Sequence, residues 1–147
     1  MGENLVVGIG ITAVCLAIQC LIVTGLLDIL ILLEKKQMIK TTFVGTALLL
    51  IPGLLILLAG NILQMAIWAG WFVQCGEFAD FSTAFYHSVV NFTTLGYGDV
   101  VMSEKSRLLG ALEAGNGVLM FGITTAFLYT VFNGVMERYW NERISEK

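Results

Sequence analysis

Charged residues and proline are scarce in this sequence. Of its 147 residues 13% are charged and one is proline, whereas 57% are hydrophobic and the mean hydropathy is +0.84. About a quarter of the residues of a soluble domain are charged, so a soluble fold is excluded. No stretch rich in Ser, Pro or Gly marks a linker between separate soluble domains. The composition predicts an all-α membrane protein.

Residues that bind metals or carry out catalysis are also few. The single histidine and the three cysteines show no metal-ligand spacing, and no basic patch or catalytic constellation is visible. We therefore expect no enzyme activity, no cofactor and no nucleic-acid partner. Cys15 and Cys20 lie in an apolar stretch, where cysteine commonly acts as a small hydrophobe. Cys75 follows another such stretch, and either a free thiol or a disulfide between subunits is compatible with its position.

Three apolar stretches are long enough to cross a bilayer, which takes about 20 helical residues. They run from about 5 to 33, 42 to 72 and 108 to 132. The first is too long for a signal-peptide core and is preceded by Glu3 rather than by Lys or Arg, so we expect it to be retained. Pro52 is the natural kink point of the second.

A shorter amphipathic stretch lies between the second and third spans. Asp80 is a good N-cap for a helix that we predict from Phe81 to about Thr93. Because this helix is too short to span, it fits a re-entrant helix, which is tolerated only where protein or water covers its end. The negative end of its dipole would favour a cation.

The segment after this helix reads Thr93-Thr94-Leu95-Gly96-Tyr97-Gly98-Asp99. Gly96 and Gly98 can adopt positive φ without a Cβ clash, which allows successive carbonyls to face one side of a strand. The segment resembles the selectivity filter of potassium channels, whose core reads T-V-G-Y-G, with Leu95 in place of the usual valine.

This resemblance implies a role for each residue of the segment. Carbonyl oxygens would replace the hydration shell of K⁺, and the Thr94 hydroxyl would add a further ring of oxygens. Tyr97 would point away from the pore and brace the strand, and Asp99 would lie at the outer mouth. The K⁺ sites would be formed by Thr94, Leu95, Gly96, Tyr97 and Gly98.

The likeness to tetrameric pore-loop potassium channels extends over residues 42 to 133. Residues 117 to 128 resemble the G-x-x-x-F-G-x-x-T-A-x-L pattern of the inner helix, which places Gly117 at the hinge. Five residues at spacings of three and four share one helix face, which by resemblance lines the pore, although an ordinary packing face has the same pattern. They are Val118, Phe121, Thr125, Tyr129 and Asn133. With its extra first helix the chain resembles small bacterial channels that have three helices and one pore loop.

The sequence departs from these channels in several places. Val90 stands where some of them have a glutamate that bonds the filter aspartate, so that bond must be absent or made otherwise. Tyr86 and His87 stand where an aromatic pair often supports the filter tyrosine. No arginine-rich helix provides a voltage sensor, and we expect no soluble ligand domain. The gating stimulus is left open.

Polar side chains at membrane depth are candidates for function. We predict that Glu113 ties the inner, outer and pore helices together behind the filter, or else that it is polar glue between helices without a role in gating. Its expected neighbours are Asn61, Gln64, Asn91 and Asn116. We predict an outer aromatic belt formed by Trp68, Trp71, Phe72 and Phe78.

Basic residues fix the expected orientation. They cluster between the first two spans and after the third, at Lys35, Lys36, Lys40, Arg138, Arg143 and Lys147. The positive-inside rule puts these ends in the cytoplasm and the N-terminus outside, in the plasma (inner) membrane. We divide the chain into an N-terminal transmembrane helix with a cytoplasmic linker, 1–40, and a pore domain, 41–147.

The sequence therefore predicts a homotetrameric potassium channel in a lipid bilayer. The predicted fold has three transmembrane helices, a re-entrant pore helix and a filter, repeated around a four-fold axis. Three other functions stay open. They are a weakly selective cation channel, a membrane subunit of a potassium transporter, and a non-conducting subunit that modifies another channel.

Overall fold

The computed structural model describes residues 2–35 and 43–145, and within these ranges it contains four α-helices and no strand. The helices are α1 (Gly2–Lys35), α2 (Phe43–Gln74), α3 (Phe81–Phe92) and α4 (Arg107–Ser145). Three of them are long and apolar enough to cross a membrane, at Gly2–Leu33, Leu50–Gln74 and Arg107–Glu137. The predictions of an all-α membrane protein and of three spans with a short helix between the last two are confirmed.

Helix α1 packs into the core that α2 and α4 form. Its Cys15 is fully buried in a cluster with Trp68, Phe72 and Leu109. Gly8 of α1 faces the side chain of Leu112 on α4, so the two helices approach closely. The first helix is therefore part of the same packed body as the other three.

Trp68 and Phe72 correct one expectation. Both side chains are 0% exposed and belong to the core that contains α1, so an aromatic belt facing lipid headgroups is wrong for these two residues. The sequence could not separate the two cases, because apolar residues suit either a lipid-facing or a protein-facing side of a transmembrane helix.

The end of the bundle opposite residues 93–99 has a purely apolar cluster. Leu26 of α1, Leu57 of α2, and Phe127 and Val131 of α4 bury their side chains against one another. A groove of about 140 Å³ opens beside them and is also lined by Pro52. Helix α2 continues through this proline, although its ring removes one hydrogen bond from the helix interior.

Several basic residues used to orient the chain lie outside the described residues. These are Lys36, Lys40 and Lys147, together with the side chains of Lys35, Arg138 and Arg143. The linker of the predicted N-terminal domain falls largely in the same gap.

Candidate functional site

The start of α3 is fixed by the predicted cap. The Asp80 side chain accepts hydrogen bonds from the backbone nitrogen of Thr83 at 2.9 Å and from its hydroxyl at 2.8 Å. These bonds from Thr83 lower the pKa of Asp80. The helix begins at Phe81 as predicted and ends at Phe92, one residue before the predicted end.

The chain leaves α3 through a tight hydrogen-bonded turn. The Val90 carbonyl accepts from the backbone nitrogens of Leu95 at 2.9 Å and Gly96 at 3.4 Å, while the Asn91 carbonyl accepts from Thr94 at 2.8 Å. Carbonyls at the end of a helix lack partners within it. Here the first residues of the glycine-rich segment supply those partners, so the segment is tied to the helix end.

The backbone of the segment alternates in handedness. Thr94, Gly96 and Gly98 have φ of 59°, 59° and 75°, whereas Leu95 and Tyr97 are not among the residues with positive φ. In a regular strand successive carbonyls point to opposite sides, and inverting every second residue turns them toward one side. The positive φ predicted for both glycines is confirmed. That of Thr94 was not predicted, since an L-residue other than glycine seldom adopts it.

The segment from Thr93 to Asp99 is not buried by any other part of the same chain. Every residue from 93 to 99 is exposed, and the side chains of Leu95 and Tyr97 are 54% and 68% exposed. The bracing role expected of Tyr97 therefore stays a prediction, because any brace must come from outside this chain.

Asp99 is held at the far end of the segment by Tyr86. The Tyr86 hydroxyl donates to Asp99 Oδ2 at 2.6 Å, and the Val100 backbone nitrogen donates to Oδ1 at 3.0 Å. The bond from Tyr86 lowers the pKa of Asp99 and in turn raises that of Tyr86. Val90 cannot bond Asp99 as the glutamate of some related channels does. In this chain Tyr86, one helical turn earlier on α3, makes a bond to Asp99 instead.

His87 supports the chain just beyond Asp99. Its Nδ1 lies 3.0 Å from the Val100 carbonyl, which can only accept, so Nδ1 carries the proton and Nε2 accepts from the Asn91 amide at 2.8 Å. The ring lies against Phe72 and Phe78, at centroid distances of 5.7 and 4.9 Å. Burial lowers the pKa of His87, which favours this neutral form.

Two contacts fasten the loop between the segment and α4. Glu77 accepts from both the backbone nitrogen and the hydroxyl of Ser103, each at 2.9 Å. The Asn4 amide of α1 donates to the Lys105 carbonyl at 2.6 Å. The beginning of α1 therefore lies at the same end of the bundle as Asp99. Cys75 is exposed there as a free thiol.

Gly117 lies where α4 crosses the end of α3. A Cβ at this position would overlap the Phe92 carbonyl group, so only glycine allows this approach. Helix α4 runs unbroken through Gly117. The hinge role of Gly117 stays a prediction. The close packing against Phe92 by itself explains why glycine is required at this position.

Glu113 is fully buried where α2, α3 and α4 meet. One carboxyl oxygen is hydrogen-bonded to the Ser88 hydroxyl of α3, and that hydroxyl also lies 2.8 Å from the Met65 carbonyl of α2. Of the expected neighbours, Asn91 lies beside the carboxyl. The partner Ser88 was missed, although Ser88 and Asn91 are three residues apart and so share the inward face of α3.

Of the other expected neighbours, Asn116 lies beside the Cys15 thiol, which also faces Glu113, whereas Gln64 belongs to a second polar group. The Gln64 amide of α2 donates to Gln19 Oε1 of α1 at 2.8 Å, and Gln19 lies 3.5 Å from the Thr124 hydroxyl of α4. Asn61 is also buried. Gln19 was also missed, although a glutamine inside a long apolar helix is itself a signal of helix contact.

The predicted pore-lining face of α4 points away from the core. Val118 is 57% exposed, Phe121 41% and Tyr129 67%, while Met120 and Phe127 on the other side are buried. A pore, lipid or a neighbouring subunit could each cover this face, so the lining role stays a prediction.

Comparison with known proteins identifies one match. A family model described as an ion channel matches residues 48–133, which is more than half of the chain and includes the whole stretch from α3 to the middle of α4. No curated protein and no solved structure matches the chain.

Proposed function

Because this chain belongs to the family of two-helix pore-loop ion channels, we propose that it is a potassium-selective channel whose pore is formed by four copies. The observation that carries the proposal is the alternation of φ at Thr94, Gly96 and Gly98. A strand with carbonyls on one side can replace the hydration shell of K⁺.

Electrostatics around the segment favour a cation. The C-terminal end of α3, which carries a partial negative charge, leads directly into the segment. Asp99 lies at the other end with a pKa below its usual range, first because of the bond from Tyr86, and so it is ionised at neutral pH. A dehydrated K⁺ would thus find negative potential at both ends of its path.

Four copies are proposed because one chain leaves the segment open. Residues 93 to 99 are exposed, and backbone groups at membrane depth must be satisfied by protein, water or ions. Four such strands around one axis provide the ring of carbonyls that a potassium filter needs. The exposed face of α4 from Val118 to Tyr129 would then line the cavity below the filter, with Gly117 as its hinge.

The selectivity test is a flux measurement on purified protein in liposomes. We expect K⁺ to pass far better than Na⁺, and Gly96→Ala to abolish or degrade conduction because alanine seldom adopts a φ of 59°. Gly10→Ala, in open space on α1, is the matched control and should conduct like the parent. Equal permeability to K⁺ and Na⁺ would favour the weakly selective alternative. No flux at all would favour a transporter subunit or a modulatory subunit.

The proposed orientation places the N-terminus outside and the C-terminus in the cytoplasm of the plasma membrane. It is supported by the contact of Asn4 with Lys105, which puts the start of α1 at the filter-mouth end. In a cysteine-free background, Glu3→Cys should react with an impermeant thiol reagent added outside, and Ile144→Cys should not. The reverse labelling pattern would overturn the orientation.

A further inference from the structure

The Ser88 hydroxyl lies between two oxygen atoms in the interior of the bundle. One is the Met65 backbone carbonyl at 2.8 Å, and the other is a carboxyl oxygen of Glu113. Ser88 and Glu113 are both 0% exposed. No solvent therefore reaches the contact within this chain, and the three groups must satisfy one another.

Counting protons decides which form of Glu113 fits. A carbonyl oxygen and an ionised carboxylate only accept hydrogen bonds, and a serine hydroxyl has one proton to donate. With an ionised Glu113, Ser88 would have two acceptors and a proton for only one of them. With a protonated Glu113, the acid donates to Ser88 and Ser88 donates to the Met65 carbonyl, so each contact has its proton.

The surroundings of the carboxyl supply no positive charge in the described part of the chain. The Cys15 thiol faces it from α1 with Asn116 beside that thiol, and the Asn91 amide faces it from α3. The nearest histidine, His87, is reached only through Asn91 and is held in its neutral form by the Val100 carbonyl. An unpaired carboxylate in such a buried site is strongly disfavoured.

We infer that Glu113 is a neutral carboxylic acid that donates a hydrogen bond to Ser88, which in turn donates to the Met65 carbonyl, and that these two bonds position the pore helix between α2 and α4. Ser88 is in the middle of α3, six residues before Thr94. These two hydrogen bonds thus fix the position of α3 relative to α2 and α4, and α3 leads directly into the proposed filter. The protonation state is independent of the proposed function, and only its effect on conduction rests on that function.

Infrared difference spectroscopy tests the protonation state directly. Purified protein in lipid is compared at neutral pH with Glu113→Gln, and with Glu104→Gln as a control at an exposed carboxylate. We expect the Glu113→Gln difference to contain the loss of a carbonyl stretch from a protonated carboxyl group. The control should instead lose carboxylate bands. Loss of carboxylate bands in Glu113→Gln would overturn the inference.

Rescue by a neutral donor tests the positioning role. Glutamine keeps a donor for Ser88, so Glu113→Gln should retain K⁺ flux within about twofold of the parent. Glu113→Leu fills a similar volume without a donor and should lose about tenfold in flux or in the yield of assembled channel. Equal behaviour of the two variants, or a severe loss in Glu113→Gln, would overturn the positioning role. A parent protein that passes no K⁺ would refute the proposed function and leave the infrared result standing.

Discussion

The two ends of the helix bundle are held together in different ways. At the end that carries Asp99, which we call the filter half, hydrogen bonds link different elements, as from Tyr86 to Asp99 and from Ser103 to Glu77. At the other end, which we call the far half, Leu57 and Phe127 pack within an apolar cluster beside an open groove. The Thr130 hydroxyl there donates to the Ala126 carbonyl of its own helix.

This difference indicates which half can move. Hydrogen bonds hold two groups at one distance and direction, whereas apolar contacts are not directional and tolerate sliding. We therefore interpret the filter half as the fixed part of the molecule and the far half as the part in which helices shift. A gate in the far half could open without changing the backbone of residues 94 to 98.

The largest effect on stability is expected from disturbing the close contact between the end of α3 and α4 in the filter half. Gly117→Ala should destabilise the assembled protein by about 3 kcal/mol, because the new methyl group overlaps the Phe92 carbonyl. The measurement is thermal dissociation of the oligomer in detergent. Gly115→Ala, which points into open space two residues away, should be neutral or slightly stabilising. A Gly117→Ala protein that assembles normally but opens less often would instead support a hinge alone.

A pair of substitutions on α2 compares the two halves directly. Leu57 and Gln64 are both fully buried, and methionine is close in volume to each. Gln64→Met should cost about 2 kcal/mol because Gln19 on α1 loses its partner. Leu57→Met should cost about 1 kcal/mol or less. Equal losses in thermal stability would show that hydrogen bonding does not distinguish the two halves.

The smallest expected effect is an acid sensitivity of the filter half. Burial acts to raise the pKa of Glu77, but hydrogen bonds from Ser106 and Ser103 outweigh it, and the pKa falls below its ordinary value of 4.5. A carboxylate with a lowered pKa stabilises the fold above its ordinary pKa, and this stabilisation is lost as the pH falls through the lowered value. Because Glu77 is partly exposed and solvent screens its interactions, the contribution is about 0.5 kcal/mol.

Thermal melts between neutral pH and pH below 4 measure this contribution. The parent should lose more stability on acidification than Glu77→Gln, whose side chain does not titrate. Glu104→Gln, at an exposed carboxylate in the loop before α4, serves as the control and should follow the parent. Identical acid profiles for the parent and Glu77→Gln would contradict the prediction.

Local signals predicted much of the fold and of the backbone conformation of residues 93–99. Asp80 predicted the start of α3, and the two glycines predicted the positive φ of residues 96 and 98. These features depend on a residue and its immediate neighbours along the chain. The positive φ of Thr94 could not be foreseen from its residue type, because it follows from the turn that ties Thr94 to Asn91.

Contacts between helices were harder to predict. Glu113 was recognised as a residue of interest, but its partner Ser88 lies 25 positions away and depends on how α3 and α4 rotate about their axes. Trp68 was expected to face the membrane surface and is buried instead. In a membrane protein, hydrophobicity does not tell the protein-facing side of a helix from the lipid-facing side, so polar residues such as Gln19 were the better guide.

The bond between Gln19 and Gln64 also has a consequence for biosynthesis. The two residues are 45 positions apart, and Thr124 follows Gln19 by 105 positions. Because α1 leaves the ribosome first, the Gln19 amide enters the bilayer before either partner has followed it there. During that interval α1 carries an unsatisfied polar group in lipid, which favours its staying near the insertion machinery until α2 arrives. The speed of elongation over those 45 residues thus sets how long the nascent chain remains in this state.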